Sequence, residues 1–136
     1  MTKPESQDAI AEVVGVTLDV IDLDLEIAFW GAALGQEILT EVEGWAVFEL
    51  PNGLTLDLQQ VPENKVAKNR FHFDLRIRSG DNGVQRLRKL GASVVEHIVK
   101  EVGEWYVMAD PEGNEFCAII RNTHFAAADE GAQTDA

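Results

Sequence analysis

Six side chains stand at spacings that let them do chemistry together. His72, Asp74 and Arg76 alternate along one short stretch, so an extended backbone turns all three to the same side. Asp57 and Gln59 alternate in the same way, and Cys117 is the only cysteine of the chain. An imidazole suits proton transfer at neutral pH and is a common metal ligand. A thiolate can ligate a soft ion such as zinc, or attack an electrophile where a base or positive charge lowers its pKa. Asp57, Asp74 and Arg76 can orient a bound molecule. Each residue also has a plainer reading. His72 can be a cavity histidine bonded to Asp74, Cys117 a small half-buried filler, and Arg76 a cross-strand ion-pair partner of Asp74 or Asp19.

The elements that would position these groups repeat once. Residues 13–21 alternate, with Val14, Val16, Leu18 and Val20 on one face, which predicts a strand. Asp22 is a helix N-cap, with Asp24 and Glu26 in the favourable first turn. Leu25, Ala28, Phe29 and Ala32 form the expected core stripe of a helix over 22–34, closed by Leu34-Gly35. Strands are expected over 37–41, 45–50 and 54–59, with a turn at Pro51-Asn52-Gly53.

The same order recurs. A strand over 70–78 carries Phe71, Phe73, Leu75 and Ile77 on one face. Asp81 caps a second helix, expected over 81–90, with Val84, Leu87 and Leu90 inward and Arg86, Arg88 and Lys89 near its C-terminus. Leu90-Gly91 closes it, and strands follow over 93–99, 105–109 and 115–121. Trp45, Pro51 and Gly53 are spaced as Trp105, Pro111 and Gly113 are. Superimposing the hairpins pairs Asp57 with Cys117, and superimposing the first strands pairs Gly15 with His72.

The chain therefore reads as an α+β domain over 12–121, built from two βαβββ modules at about 12–60 and 69–121, between tails at 1–11 and 122–136. One helix cannot cover both faces of a four-stranded sheet, so the two modules are expected to curl into an open eight-stranded cup with the helices outside. Alternation then lines the cup with Gly15, Thr17, Asp19, Asp57, Gln59, His72, Asp74, Arg76, Glu115 and Cys117, most of them polar. Such a polar set is rarely buried for stability alone, which argues for a binding cavity.

Composition narrows the partners. With 24 Asp and Glu against 11 Lys and Arg, the net charge is −13, which opposes nucleic acid and anionic membranes. A polar N-terminus without an apolar run and a single cysteine suit the cytoplasm.

The segments Val16-Thr17-Leu18-Asp19-Val20-Ile21-Asp22, Phe29-Trp30 and Leu34-Gly35 resemble the first module of the vicinal oxygen chelate superfamily, which includes glyoxalases, bleomycin-resistance proteins and extradiol dioxygenases. Asn69-Arg70-Phe71-His72-Phe73-Asp74-Leu75, Leu90-Gly91-Ala92 and Asp110-Pro111-Glu112-Gly113-Asn114-Glu115-Phe116 resemble the second module, as its uncharacterised glyoxalase-like bacterial members carry it. The resemblance implies a homodimer and a metal quartet, one ligand from the first and one from the last strand of each module. Carried over by position, the quartet is Gly15, Asp57, His72 and Cys117, and only His72 keeps the usual type. No cofactor is therefore expected. A divalent metal, if one binds, would fall to His72, Asp57 and Cys117. The expected function is binding of a small organic molecule in the cup by His72, Asp74, Arg76, Asp57, Gln59 and Cys117. The alternative is a metal-dependent lyase, isomerase or dioxygenase-type enzyme acting through His72, Asp57 and Cys117, with His72 the candidate catalytic residue.

Overall fold

The computed structural model describes residues 12–78 and 82–122, which fall into two compact units, Met1–Pro62 and Glu63–Ala136. The first contains β1 (Gly15–Val20), α1 (Leu23–Leu34), β2 (Ile38–Val42), β3 (Trp45–Glu49) and β4 (Thr55–Gln60). The second contains β5 (Phe73–Arg76), α2 (Gly83–Lys89), β6 (Ser93–Lys100), β7 (Gly103–Ala109) and β8 (Glu115–Asn122). The βαβββ order thus occurs twice. Each unit has one four-stranded sheet, ordered β1-β4-β3-β2 and β5-β8-β7-β6. The first strand runs parallel to the last, and the other pairs are antiparallel. Among the described residues no helix is long and apolar enough to cross a membrane.

Period-two patterning sorts each strand. In the first unit Ala46, Phe48, Leu56 and Leu58 are buried, and so are Leu23, Phe29 and Trp30 of α1. Phe29 and Trp30 meet edge to face with ring centres 5.1 Å apart. In the second unit Met108, Phe116 and Ala118 are fully buried, with Leu87 of α2 also in the core.

The buried side of α1 differs from the expected stripe. Leu23, Glu26, Phe29 and Trp30 point inward, while Leu25 is 44% exposed and Ala28 and Ala32 are exposed too. Leu23 and Trp30 stand seven residues apart, nearly two full turns, and their bulk sets the face. The small alanines bury too little apolar area to compete. Glu26 lies between Leu23 and Trp30 on that face, so it is carried inward rather than left at the surface as a first-turn charge.

Both helices end alike. Gln36 N–H donates to Gly31 O at 2.9 Å and Ala92 N–H to Leu87 O at 3.0 Å, each across a glycine of positive φ: Gly35 at 63° and Gly91 at 120°. These are the six-to-one bonds of a Schellman ending, which a side chain at the glycine would strain. The Asp22 carboxylate accepts from Leu25 N–H at 3.1 Å, as a cap should. α2 is shorter than expected. Asp81 lies outside the described residues, Asn82 makes no capping bond with its side chain, and Leu90 is 41% exposed rather than inward.

β5 is also shorter than the 70–78 stretch. Ahead of it, Lys68 Nζ and Asn69 N–H donate to Glu115 Oε1 at 3.2 and 3.1 Å, and Glu115 N–H returns a bond to Asn69 Oδ1 at 3.4 Å. These bonds tie the chain just before this stretch to the start of β8.

The two hairpin turns share a backbone. Leu50 N–H donates to Leu54 O and Gly53 N–H to Leu50 O, just as Asp110 donates to Asn114 O and Gly113 to Asp110 O. Their side chains differ in burial. Asn52 accepts one exposed bond from Leu54 N–H. Asp110, 3% exposed, accepts from Glu112 N–H and Asn114 N–H, both at 2.9 Å, and from Asn114 Nδ2 at 3.3 Å. Asp110→Ala should therefore cost about 1–3 kcal/mol, because it strands buried donors. Asn52→Ala, at the equivalent exposed turn, should cost clearly less. Urea denaturation of both variants measures the contrast.

Candidate functional site

The site is built from the parallel pairing of β5 with β8. Its register sets Asp74 opposite Cys117 and Arg76 opposite Ile119. His72 precedes Asp74 by two residues and shares its face. His72 Nε2 lies 3.5 Å from Asp74 Oδ1, with the two side chains 48% and 49% exposed. Ligand atoms of His72, Asp74 and Cys117 all lie within 4.8 Å of one another, although Cys117 is buried. The outward face of β5 thus holds an imidazole, a carboxylate and Arg76, with a thiol beneath them.

Electrostatics set the reactivity of that thiol. Burial pushes the Cys117 thiol above its ordinary value, and the Asp74 carboxylate pushes it further; Lys68 pulls it down and Glu115 adds to the rise. Glu115 itself sits low. Burial works against its charge, but the hydrogen bonds from Lys68 and Asn69 and the positive charges of Lys68 and Lys65 outweigh it. The alkylating nucleophile is the thiolate. Cys117 is therefore poorly suited to covalent catalysis at neutral pH unless a bound cation lowers its pKa.

The first unit presents the duplicated position differently. β1 and β4 set Thr17 opposite Asp57, as β5 and β8 set Asp74 opposite Cys117. Stepping back two residues pairs Gly15 with His72, as the sequence alignment of the halves has it. Asp57 Oδ2 accepts from Trp45 Nε1 at 3.1 Å, and its Oδ1 is buried without a hydrogen-bond partner. Gln59 is half-buried, opposite Asp19 and Trp45. Gly15 offers no ligand, and a Cβ there would overlap Thr55 Oγ1 and come within 3.1 Å of Thr55 O.

Of the four positions carried over from the resemblance, Gly15 therefore supplies no ligand atom. His72, Asp74 and Cys117 within the second unit do fit a metal ion, as a nitrogen, oxygen and sulfur donor set of the kind zinc takes. Within the second unit the carboxylate beside His72 and Cys117 is Asp74. Asp74 stood among the ligand-orienting groups; its place opposite Cys117 depends on a pairing register that one strand alone does not reveal.

Sequence reasoning also passed over His97. Its Nε2 lies 2.8 Å from Glu104 Oε2, and its ring stacks on Tyr106 with centres 4.0 Å apart and planes 2° from parallel. The signal was the β6–β7 register, which pairs His97 with Tyr106. By alternation this group lies on the opposite sheet face from Cys117.

Comparison with known proteins places this geometry. Residues 15–119 match a family described as a glyoxalase-like domain. Among curated proteins, none matches the sequence. A solved structure of the fosfomycin resistance protein FosX from Listeria monocytogenes, complexed with Mn(II) and dihydroxypropylphosphonic acid, aligns with a TM-score of 0.70 at 19% identity, over 82% of this chain and 90% of that one. A glyoxalase-related enzyme from Fulvimarina pelagi aligns at 0.68 and 18% identity, over 82% and 89%. A glyoxylase/bleomycin resistance protein/dioxygenase domain from a Frankia species aligns at 0.66 and 22%, over 82% and 98%. At these identities the likeness is one of fold.

The raised thiol gives a direct test. Iodoacetamide should alkylate Cys117 more slowly than free cysteine at neutral pH, and the rate should continue to rise at higher pH than for free cysteine. Asp74→Asn and Glu115→Gln should each speed the reaction, since each removes a negative charge that opposes the thiolate. Mass-spectrometric rates across about pH 7 to 10 check both expectations.

Proposed function

The chain belongs to the glyoxalase-like domain family and has the fold of the vicinal oxygen chelate superfamily; on that premise we propose that it binds a small organic molecule on the polar face of its second sheet. The observation that carries this reading is the convergence of His72, Asp74 and Cys117, with ligand atoms within 4.8 Å of one another, and Arg76 at the same strand parity as Asp74. The core side of the same sheet is closed by Phe116, Ala118 and Met108, so burial does not account for the polar row. An imidazole, a carboxylate and a guanidinium together supply donors and acceptors in fixed directions. That set suits a molecule bearing oxygen atoms better than a hydrocarbon. Asp74 Oδ1, 3.5 Å from His72 Nε2, offers that nitrogen an acceptor.

A second reading is favoured by one specific observation, the His72–Asp74–Cys117 donor set. FosX, a structural neighbour, was solved with Mn(II). A divalent ion on these three residues would act as a Lewis acid toward a ligand oxygen. The chain's own part would be to hold the ion through His72, Asp74 and a deprotonated Cys117, and to present Arg76 to the ligand. Under that reading the protein is an enzyme of the lyase, isomerase or dioxygenase type.

Two measurements separate the readings. In a fragment screen by NMR, His72→Ala and Arg76→Ala should each weaken hits at this face by about tenfold or more, equivalent to about 1.4 kcal/mol. Hits whose affinity neither substitution changes would sink the binding proposal. Elemental analysis of protein purified without chelators reads the second. One equivalent of zinc, lost in both His72→Ala and Cys117→Ser, would move the assignment to the metal-assisted enzyme.

A further inference from the structure

Residues 12–62 contain ten aspartates and glutamates but no lysine, arginine or histidine. The carboxylates of this segment are therefore satisfied without a cation of its own. Eight of them are exposed, where water does that. Glu26 lies on the buried side of α1. Asp57 is half-buried on the sheet.

Two cross-strand rows lie wholly within β1, β4 and β3. One is Thr17–Asp57–Val47, and the next is Asp19–Gln59–Trp45. Directly paired residues share a sheet face, and the intervening Leu56, Leu58 and Ala46 are buried on the other. The bond from Trp45 Nε1 to Asp57 Oδ2, 3.1 Å, runs between the rows and fixes the indole beside the carboxylate. Asp57 Oδ1 is buried and has no hydrogen-bond partner among the described residues. Because Asp57 and Trp45 are each only half-buried, a modest turn about the Cβ–Cγ bond of Asp57, a broad torsion, brings Oδ1 to an entering donor.

The duplicated fold supplies an internal control. In the second unit the equivalent places are held by Trp105, Cys117 and Ile119, and Trp105 pairs with Ile119 as Trp45 pairs with Gln59. The tryptophan is thus accommodated without an aspartate at the Asp57 place, so the fold does not require this carboxylate. Holding the indole does not explain its charge either, because an asparagine oxygen accepts the same bond. What the place offers is a charged acceptor with one oxygen unused, beside an aromatic ring, with Asp19 as a further negative charge in the next row. A protonated amine matches all of these: it donates N–H bonds to a carboxylate, and its charge is attracted to the face of an indole.

We propose that this face of the first sheet binds a small organic ammonium ion, its N–H donating to Asp57 Oδ1 and its charge lying near the Trp45 ring and Asp19. The site uses residues of the first unit alone, so it stands independently of the reading given for the second sheet.

The probes are benzylamine, its neutral analogue benzyl alcohol, and benzyltrimethylammonium, which has the charge but no N–H. Each is titrated into the full chain at about pH 7, where the amine is protonated, and followed by NMR at the Trp45 indole N–H, assigned with Trp45→Phe. Benzylamine should bind at least about tenfold more tightly than benzyl alcohol and several-fold more tightly than benzyltrimethylammonium, and should weaken several-fold as salt rises from about 0.02 to about 0.2 M. Asp57→Asn keeps an acceptor for Trp45 and should lower benzylamine affinity about tenfold while leaving benzyl alcohol unchanged. Asp19→Asn, at an exposed position, should lower it several-fold, and repeats the test should the Asp57 variant fail to fold. Equal affinity for benzylamine and either control overturns the proposal, as does benzylamine affinity unaltered by these substitutions. No shift of the Trp45 indole with benzylamine at millimolar concentration also overturns it, whatever binds at His72.

Discussion

The parallel pairing of first and last strand within each unit is the constraint on which the rest depends. A parallel neighbour cannot be reached by a tight turn, so the chain must cross over through a helix and return through two antiparallel strands. That requirement fixes the βαβββ order of each unit. It also decides which side chains meet. Asp74 faces Cys117 because β5 and β8 run parallel in that register. A slip of one residue would turn His72, Asp74 and Arg76 into the core and Phe73 and Leu75 out. The clasp of Lys68 and Asn69 on Glu115 closes one end of that pairing and helps to hold the register.

The surroundings of Cys117 balance opposing charges rather than accumulating one sign. Asp74 and Glu115 oppose ionisation of the buried thiol, Lys68 favours it, and the same lysine holds Glu115 ionised. An added cation or anion at this face therefore changes the state of several groups at once. The first unit has no such balance. Its Asp57 is engaged by Trp45, and its Gly15 leaves only backbone and Thr55 at the position of His72.

Duplication made the fold legible in the sequence. Each element could be read twice, and the paired Leu-Gly endings and the Trp-Pro-Gly hairpins brought the two readings into register. The expected strands correspond to β1–β4 and β6–β8 to within two residues at each end. What failed were features that depend on packing. Alanine spacing suggested an inward face of α1 that the bulk of Leu23 and Trp30 overruled. The length of β5 was overestimated, since its pairing with β8 runs only from Phe73 to Arg76. At the site, parity correctly placed His72, Asp74 and Arg76 on one face, since alternation is local. The proximity of Asp74 to Cys117 was not legible, because it spans two strands 43 residues apart in the chain. The stacking of His97 on Tyr106 lay hidden for the same reason.

The outer strands share one more feature. β2 and β6 each slip register once against their neighbours, between Ile38 and Thr40 and between Val94 and Glu96, so each carries an extra residue, Leu39 and Val95. Both strands lie at an edge of their sheet, and β6 exposes Val94, Val95 and Val99. A straight edge of that composition is a template for runaway strand addition between molecules. An inserted residue kinks the strand and spoils the even spacing of its free amide and carbonyl groups, so a second straight strand cannot zip along it. The two irregularities thus act as safeguards against fibre growth. Deleting Leu39 or Val95 would leave a straighter ladder, and a protein more prone to aggregate as its concentration rises.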